Sequence, residues 1–308
     1  MMRVLVLGAD GFVGRRVIDA LDASDWAIPV AGVRRVKSGG SVERVLLDAT
    51  DRSSLASALD GIDAVVNAVV GAAPTILANA GAVAATAGSR RIVHLSSMAV
   101  YGSAVGRIAE DAPLLADTGA YAAAKAKAEQ CLAACQNLAL LRPGCIYGPG
   151  SGQWTTRIAD LLNARRIGDL GAGGDGCSNL VHIDDVVAAI LAAVRMADRG
   201  AFNLAMPGAP DWNSYFFAFA RALGAVPVAR VPGWRLKLET KLLAVPFKLA
   251  EKTGRLPPAI PPSLVRLWAQ DIRLDPTRAD AVFQIDWTPL DHGVAGAAAW
   301  LSRPRTIA

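Results

Sequence analysis

The sequence predicts an α/β fold: a doubly wound parallel sheet followed by a smaller, mostly helical lobe. Three observations predict it. Short apolar runs alternate with segments of helical period through the first half of the 308 residues. A turn with three spaced glycines joins the first run to the first helical segment. Beyond Pro149 the alternation loosens, and from Pro207 onward prolines become frequent. Strand–helix alternation places crossovers on both faces of a sheet, so its strands run parallel and are buried.

The elements follow in order. Residues 4–7 form an apolar run that reads as a first strand, and residues 12–21 follow at helical period. Residues 26–33 and 42–47 are strands two and three, and 53–59 a helix. Residues 64–70, rich in valine, form strand four, 76–87 a helix and 91–96 strand five. Residues 120–136 are an alanine-rich helix and 138–141 strand six. Residues 168–176 read as a glycine-rich loop and 179–183 as a short strand. Asp184 is placed to cap a helix over 185–196, and 202–204 return a strand to the sheet. The expected division is 1–150, with 179–205 returning to it, against 151–178 and 206–308.

Composition narrows the function classes. Hydrophobic residues are 53% and charged residues 19%, the balance of a globular chain rather than a disordered one. The net charge is +5, without a Lys/Arg run or basic–aromatic interleaving, so no nucleic-acid partner is expected. Residues 64–89 carry no charge, but Asn67, Gly71, Pro74, Asn79 and Gly81 interrupt them; strand, loop and core helix account for the stretch better than a membrane span. The four cysteines, Cys131, Cys135, Cys145 and Cys177, lack metal-ligand spacing and read as buried reduced thiols. No metal site is expected. Met1-Met2-Arg3 leads straight into the first strand with no secretory pattern, which makes the cytoplasm the default compartment.

Gly8-Ala9-Asp10-Gly11-Phe12-Val13-Gly14 lies between the first strand and the first helix. Glycines there permit a tight turn and close approach of the backbone to a pyrophosphate, whose charge rests on the helix N-terminus. That is the fingerprint of a Rossmann-type dinucleotide-binding domain, with Gly8, Gly11, Phe12, Val13 and Gly14 against the cofactor. An acid at the end of strand two would hold the ribose of NAD, and arginine would pair with the 2′-phosphate of NADP. The chain has Arg34-Arg35-Val36-Lys37 and no acid at that point, so NADP(H) is favoured and NAD(H) is the alternative. Asp48 and Ala49 follow strand three, and Asn67, Ala68 and Val69 end strand four, along the same sheet edge. Asp48 either meets the adenine amine or caps a turn.

Tyr121-Ala122-Ala123-Ala124-Lys125 places a phenol and an ammonium on one helix face. A nearby lysine charge lowers a tyrosine pKa and suits the pair to proton exchange with an alcohol or ketone. Upstream stands Ser96-Ser97-Met98-Ala99-Val100-Tyr101-Gly102.

Together these motifs resemble the extended short-chain dehydrogenase/reductases, also called the NAD(P)-dependent epimerase/dehydratase family. Leu141-Arg142-Pro143-Gly144-Cys145-Ile146-Tyr147-Gly148-Pro149-Gly150, Val181-His182-Ile183-Asp184-Asp185 and Asp275-Pro276-Thr277-Arg278-Ala279 belong to the same likeness. It implies Ser97, Tyr121 and Lys125 as the catalytic group, Tyr121 as acid/base and Lys125 as the ribose-binding lysine. It places Pro143 and Cys145 beside the nicotinamide, and gives His182 and Asp184 a mainly structural role.

The expected activity is NADPH-dependent reduction of a ketone, or oxidation of the alcohol, on a small or moderately apolar molecule. One alternative is a sugar-nucleotide epimerase or dehydratase with tightly bound NAD and a diphosphate near Arg157, Arg165 and Arg166. Against it, residues 69–96 are shorter than in typical sugar-nucleotide members, and Asn67-Ala68-Val69-Val70-Gly71 replaces a His-x-Ala-Ala-like segment. Another alternative is a non-catalytic dinucleotide-binding sensor or scaffold, although such relatives tend to lose the Tyr/Lys pair. Residues 234–250 are amphipathic and somewhat basic; a lobe helix packed on the core is preferred over peripheral membrane contact, because Pro246 breaks the face. A homodimer through the helix of Tyr121 is possible by resemblance.

Overall fold

A computed structural model describes residues 1–35, 41–241 and 258–303. Its central sheet contains β1 (Met2–Leu7), β2 (Ala27–Val33), β3 (Glu43–Leu46), β4 (Ala64–Asn67), β5 (Arg91–Leu95), β7 (Leu138–Pro143) and β10 (Gly200–Leu204). The seven strands lie in the order β3-β2-β1-β4-β5-β7-β10, all parallel. The order reverses between β1 and β4, and a crevice opens there at the carboxyl ends of the strands. The Rossmann-type fold class is as the sequence predicts.

Side chains on the two faces of these strands alternate between two cores. One core packs α1 (Phe12–Asp22) and α6 (Ile183–Arg195) on Val4, Val6, Val66 and Val93. Ala279 and Phe283 of α10 (Thr277–Phe283) join that core, and Phe283 meets Phe202 with ring centroids 4.6 Å apart. The other core packs α2 (Arg52–Ala58), α3 (Ala73–Thr86) and α4 (Ala120–Leu132) on Leu5, Leu7, Val65 and Ile92. Small residues Ala124 and Ala128 are buried in this core and let α4 pack closely against α3.

A third core builds the lobe. It gathers α5 (Arg157–Asn163), α7 (Trp212–Leu223), α9 (Pro262–Ala269) and α11 (Leu290–Leu301) around Trp212, Tyr215, Phe216, Phe219 and Trp268. Asp211 caps α7 by accepting from the Ser214 N–H, and Gly224, at φ +72°, ends it in the left-handed region. The helix α8 (Gly233–Lys241) precedes residues 242–257, so the second half of the amphipathic stretch, with Pro246, lies outside the described residues, as does Lys37.

Several boundaries differ from the sequence reading. The fourth strand stops at Asn67 instead of running to residue 70, because the Asn67 Oδ1 accepts the Val69 N–H and turns the chain. The N-cap of α6 is His182, not Asp184: its ring nitrogen accepts the Asp184 N–H. Asp184 instead lies in the first turn and pairs with Arg16 of α1 at 2.9 Å. The expected strand at 179–183 is β9 (Leu180–His182), and it pairs with β8 (Cys145–Tyr147) rather than the central sheet. A further ribbon joins β6 (Gly106–Ile108) to β11 (Ile272–Leu274) across the lobe. All four cysteines are free; Cys145 and Cys177 are buried, but Cys131 in the last turn of α4 is exposed and Cys135, past the end of that helix, is half-buried, so these two are not the buried thiols expected.

Candidate active site

The crevice is a cavity of about 1080 Å³ that runs from the glycine turn to the lobe. The glycines of the turn at its edge are there for a reason of space. Gly8 has φ +80°, and a Cβ on it would lie 2.9 Å from Ala68 O. A Cβ on Gly14 would lie 2.2 Å from Gly8 O, so only glycine lets α1 pack against the turn. Gly11 begins α1 without any side-chain cap, which leaves the first N–H groups of the helix, from Phe12 onward, to an outside acceptor. Gly11, Phe12, Val13 and Ala68 line the cavity. A nucleotide pyrophosphate fits this cradle of bare backbone donors.

Ser97, Tyr121 and Lys125 converge on the same cavity. Ser97 follows β5 and caps a short 3₁₀ turn, Met98–Tyr101, by accepting the Ala99 N–H at 3.2 Å. Ser96 is turned away, and its hydroxyl donates to Glu129 at 2.5 Å. Tyr121 stands in the first turn of α4 with 45% of its surface open to the cleft. Burial of the phenol raises its pKa, and a hydrogen bond with Ser97 acts in the opposite direction. The lowering expected from Lys125 is not realised here. The Lys125 ammonium is buried and donates to Leu95 O at 2.7 Å, and burial depresses its pKa to about 8, opposed by the Glu129 charge. A phenol raised in pKa is held as its neutral, proton-bearing form.

A buried network fixes this helix. Glu129, two turns beyond Tyr121, forms an ion pair with Arg142 at 2.7 Å, and Arg142 donates further to Tyr101 OH and Glu110 O. Tyr101 OH in turn donates to Asn203 Oδ1 at 2.7 Å. Glu129 was legible in principle, since it repeats the four-residue spacing of Tyr121 and Lys125.

The other expected cofactor residues divide. Pro143 and Cys145 line the cavity where β7 passes into β8. Burial pushes the Cys145 thiol well above its usual range, so it remains a protonated wall. Asn67 is not in the cleft: it is fully buried, its amide donating to Asn79 Oδ1 and held 3.0 Å from the His94 ring. Asn79 continues the chain to Ala49 O, so Ala49 and Asn67 shape the strand ends from beneath. Val69 packs against the core there. Asp48 caps a turn, accepting from the Thr50 N–H and hydroxyl; those bonds hold its carboxyl below the usual range, and the Arg34 charge adds to the effect. Arg34 and Arg35 are exposed at the end of β2. Arg44, unremarked in the sequence, joins them across the strands: its guanidinium donates to Asp10 Oδ1 of the glycine turn at 2.6 Å. A cation inside the apolar run of 42–47 was its only local signal.

Of the three expected diphosphate cations, two have other partners, and the third, Arg165, is exposed and stands outside the lining of the cavity. Arg157 donates to Gln153 and to Ala259 O, and Arg166 forms a buried pair with Glu239. His182 and Asp185 serve structure, with Asp185 accepting from the Thr288 N–H and hydroxyl. Among the described residues there is no group of His, Cys, Asp and Glu able to hold a metal ion, and no helix long and apolar enough to cross a membrane.

Residues 4–205 match the model of the NAD dependent epimerase/dehydratase family. A 3-diazoavenalumate denitrifying reductase from Streptomyces is 32% identical over 260 residues, which span 75% of this chain and 84% of the relative. Among solved structures, the Bordetella bronchiseptica enzyme WbmH in complex with NAD⁺ superposes with a TM-score of 0.74 at 18% identity, over 98% of each chain. The human epimerase family protein SDR39U1 with NADPH gives 0.73 at 18% identity, over 97% of this chain and 99% of that one. The glycine cradle, the strand order and the family match lead to one conclusion: the chain belongs to the NAD(P)-dependent epimerase/dehydratase family and is an oxidoreductase that uses a nicotinamide dinucleotide.

Proposed function

We propose that this protein reduces a ketone on a small or moderately apolar molecule with NADPH, through Ser97, Tyr121 and Lys125. The observation that carries the reading is the convergence of these three side chains on one cavity beside the glycine turn. When bound, the nicotinamide supplies the hydride. Tyr121, neutral because burial raises its pKa, delivers its proton to the carbonyl oxygen. Ser97 donates a hydrogen bond to that oxygen and steadies its developing charge. Lys125, on the same helix face, holds the ribose, and its ammonium favours the phenolate that Tyr121 becomes as its proton leaves. Run in reverse, the same groups oxidise an alcohol.

NADPH is supported over NADH by Arg34 and Arg35 at the end of β2, where no acid stands, and by Arg44 offsetting the charge of Asp10. A sugar-nucleotide epimerase or dehydratase would need free cations for a diphosphate at the cavity; Arg157 and Arg166 are committed elsewhere and Arg165 stands outside the lining, which favours the reductase. The test is Tyr121→Phe, which is expected to cut NADPH-dependent turnover by about 10²–10⁴-fold, the scale of one general acid, while NADPH affinity by fluorescence stays nearly unchanged. Undiminished turnover sinks the assignment.

A further inference from the structure

We propose that Arg266 reads an anionic group, a carboxylate in the first instance, on an otherwise apolar substrate. The inference rests on the ketone-reductase reading and names the substrate class. The lobe side of the cavity is walled by Met98, Trp154, Leu264 and Leu267, which suits a flat hydrocarbon or aromatic body. Arg266 projects from α9 into the lining of that wall, and no carboxylate among the described residues pairs with it. Of the arginines on the same side, Arg157 is committed to Gln153 and Ala259 O and Arg166 to Glu239, while the exposed Arg165 stands outside the lining. Lys125, the other cation lining the cavity among the described residues, belongs to the opposite end, beside the glycine turn, and is turned onto Leu95 O.

The helix carrying Arg266 is fixed relative to the reacting groups. Gln270, at its C-terminal end, spends both amide hydrogens on Gly102 O and Ala104 O, at 2.9 and 2.8 Å. Gly102 closes the turn that begins at Ser97, and Ala104 follows it by two residues. The buried Trp268 ring packs against Phe216, and its carbonyl accepts the Gly176 N–H. A cation is thus held at a set reach from the serine that meets the carbonyl oxygen, with apolar surface between them. A substrate bearing a ketone at one end and a carboxylate at the other spans the two, its charge in a charge-assisted hydrogen bond to the guanidinium. Among the described residues that line the cavity, one accessible cation matches one such group, whereas a diphosphate calls for more.

Two probes of the same aryl ketone separate the possibilities: 3-benzoylpropionate, which carries the carboxylate, and 3-benzoylpropionamide, its uncharged counterpart. Affinities are measured by saturation-transfer NMR on the full chain with and without NADP⁺, which reads binding without turnover. The acid is expected to bind at least about tenfold tighter than the amide, with the margin shrinking as salt rises. Arg266→Gln removes the margin and Arg266→Lys keeps part of it; because the side chain is exposed, neither substitution disturbs folding. Equal affinities, no binding of the acid, or a preference that survives Arg266→Gln overturns the proposal. NADPH oxidation is followed in parallel. An acid preference that depends on Arg266, with no oxidation, leaves this subsite standing and sinks the reductase reading. Oxidation without the preference does the reverse.

Discussion

Replacing Glu129 by glutamine removes one negative charge from the buried side of the catalytic helix and leaves the rest of the side chain in place. Glu129 and Arg142 are both buried, with side-chain exposures of 4% and 6%. The carboxylate accepts three bonds from two nitrogens of Arg142, at 2.7, 3.0 and 3.3 Å, and one from Ser96 at 2.5 Å. Loss of one member of a buried pair leaves an uncompensated charge and costs roughly 3–5 kcal/mol. Arg142 keeps its bonds to Tyr101 OH and Glu110 O, so the lower part of that range is expected. For a chain of this size about 2 °C is lost per kcal/mol, so the thermal midpoint falls by roughly 6–8 °C. Replacing both partners, Glu129→Leu with Arg142→Met, is expected to recover part of the loss, because no charge then remains buried. A second effect reaches the chemistry. The Glu129 charge raises the pKa of Lys125, opposing the burial that lowers it to about 8. Without that charge the lysine titrates lower still, and any alkaline limb of activity that reports Lys125 moves toward neutral pH. Differential scanning fluorimetry across pH, alongside the pH profile of kcat/KM, measures both. A loss below about 1 kcal/mol together with an unmoved limb would refute the view that a charged Glu129 supports Lys125.

Further outcomes follow from the same geometry. The wild-type kcat/KM for reduction is expected to fall as pH rises through about 8, since the depressed Lys125 loses its charge there; a profile flat to pH 10 contradicts a required ammonium. Gly14→Ala forces a Cβ to within 2.2 Å of Gly8 O, and is expected to cost about 1–3 kcal/mol of stability and most nucleotide affinity, read by thermal melting with and without NADPH. Replacing Arg34 and Arg35 together by alanine weakens NADPH binding by about tenfold or more and leaves NADH little changed; equal losses for both nucleotides would show that the arginines do not read the 2′-phosphate.

How much was legible divides by distance along the chain. The spaced glycines between an apolar run and a helical segment are a local pattern, and local sterics fix their consequence: Gly8 at φ +80° and Gly14 against Gly8 O admit no side chain. The pair Tyr121 and Lys125 is set by helical geometry alone, and both side chains reach the same cavity. Valine-rich runs, buried on both faces, gave the parallel strands, because a fully covered strand admits no polar alternation.

What the tertiary structure decided joins residues that the sequence holds far apart. Periodicity has no term for pairing β6 with β11 or β8 with β9, where three-residue strands find partners many residues away. The protonation of the site was inverted for the same reason. Spacing put an ammonium beside a phenol, but burial and the carbonyl of Leu95 claimed the ammonium, so desolvation dominates at Tyr121. Asn67 was read toward the cofactor, yet alternation along β4 turned it under the sheet to Asn79 and His94. His182 took the cap expected of Asp184, because a partner on another helix, Arg16, drew the carboxylate away. Arg44 on Asp10, and Arg266 tied through Gln270 to the turn of Ser97, are contacts between distant segments. The sequence by itself determined the cradle and the reacting pair, whose geometry is written within a few residues. Only folding decided which charges stand free and which are neutralised, since that depends on what the rest of the chain brings within hydrogen-bonding distance.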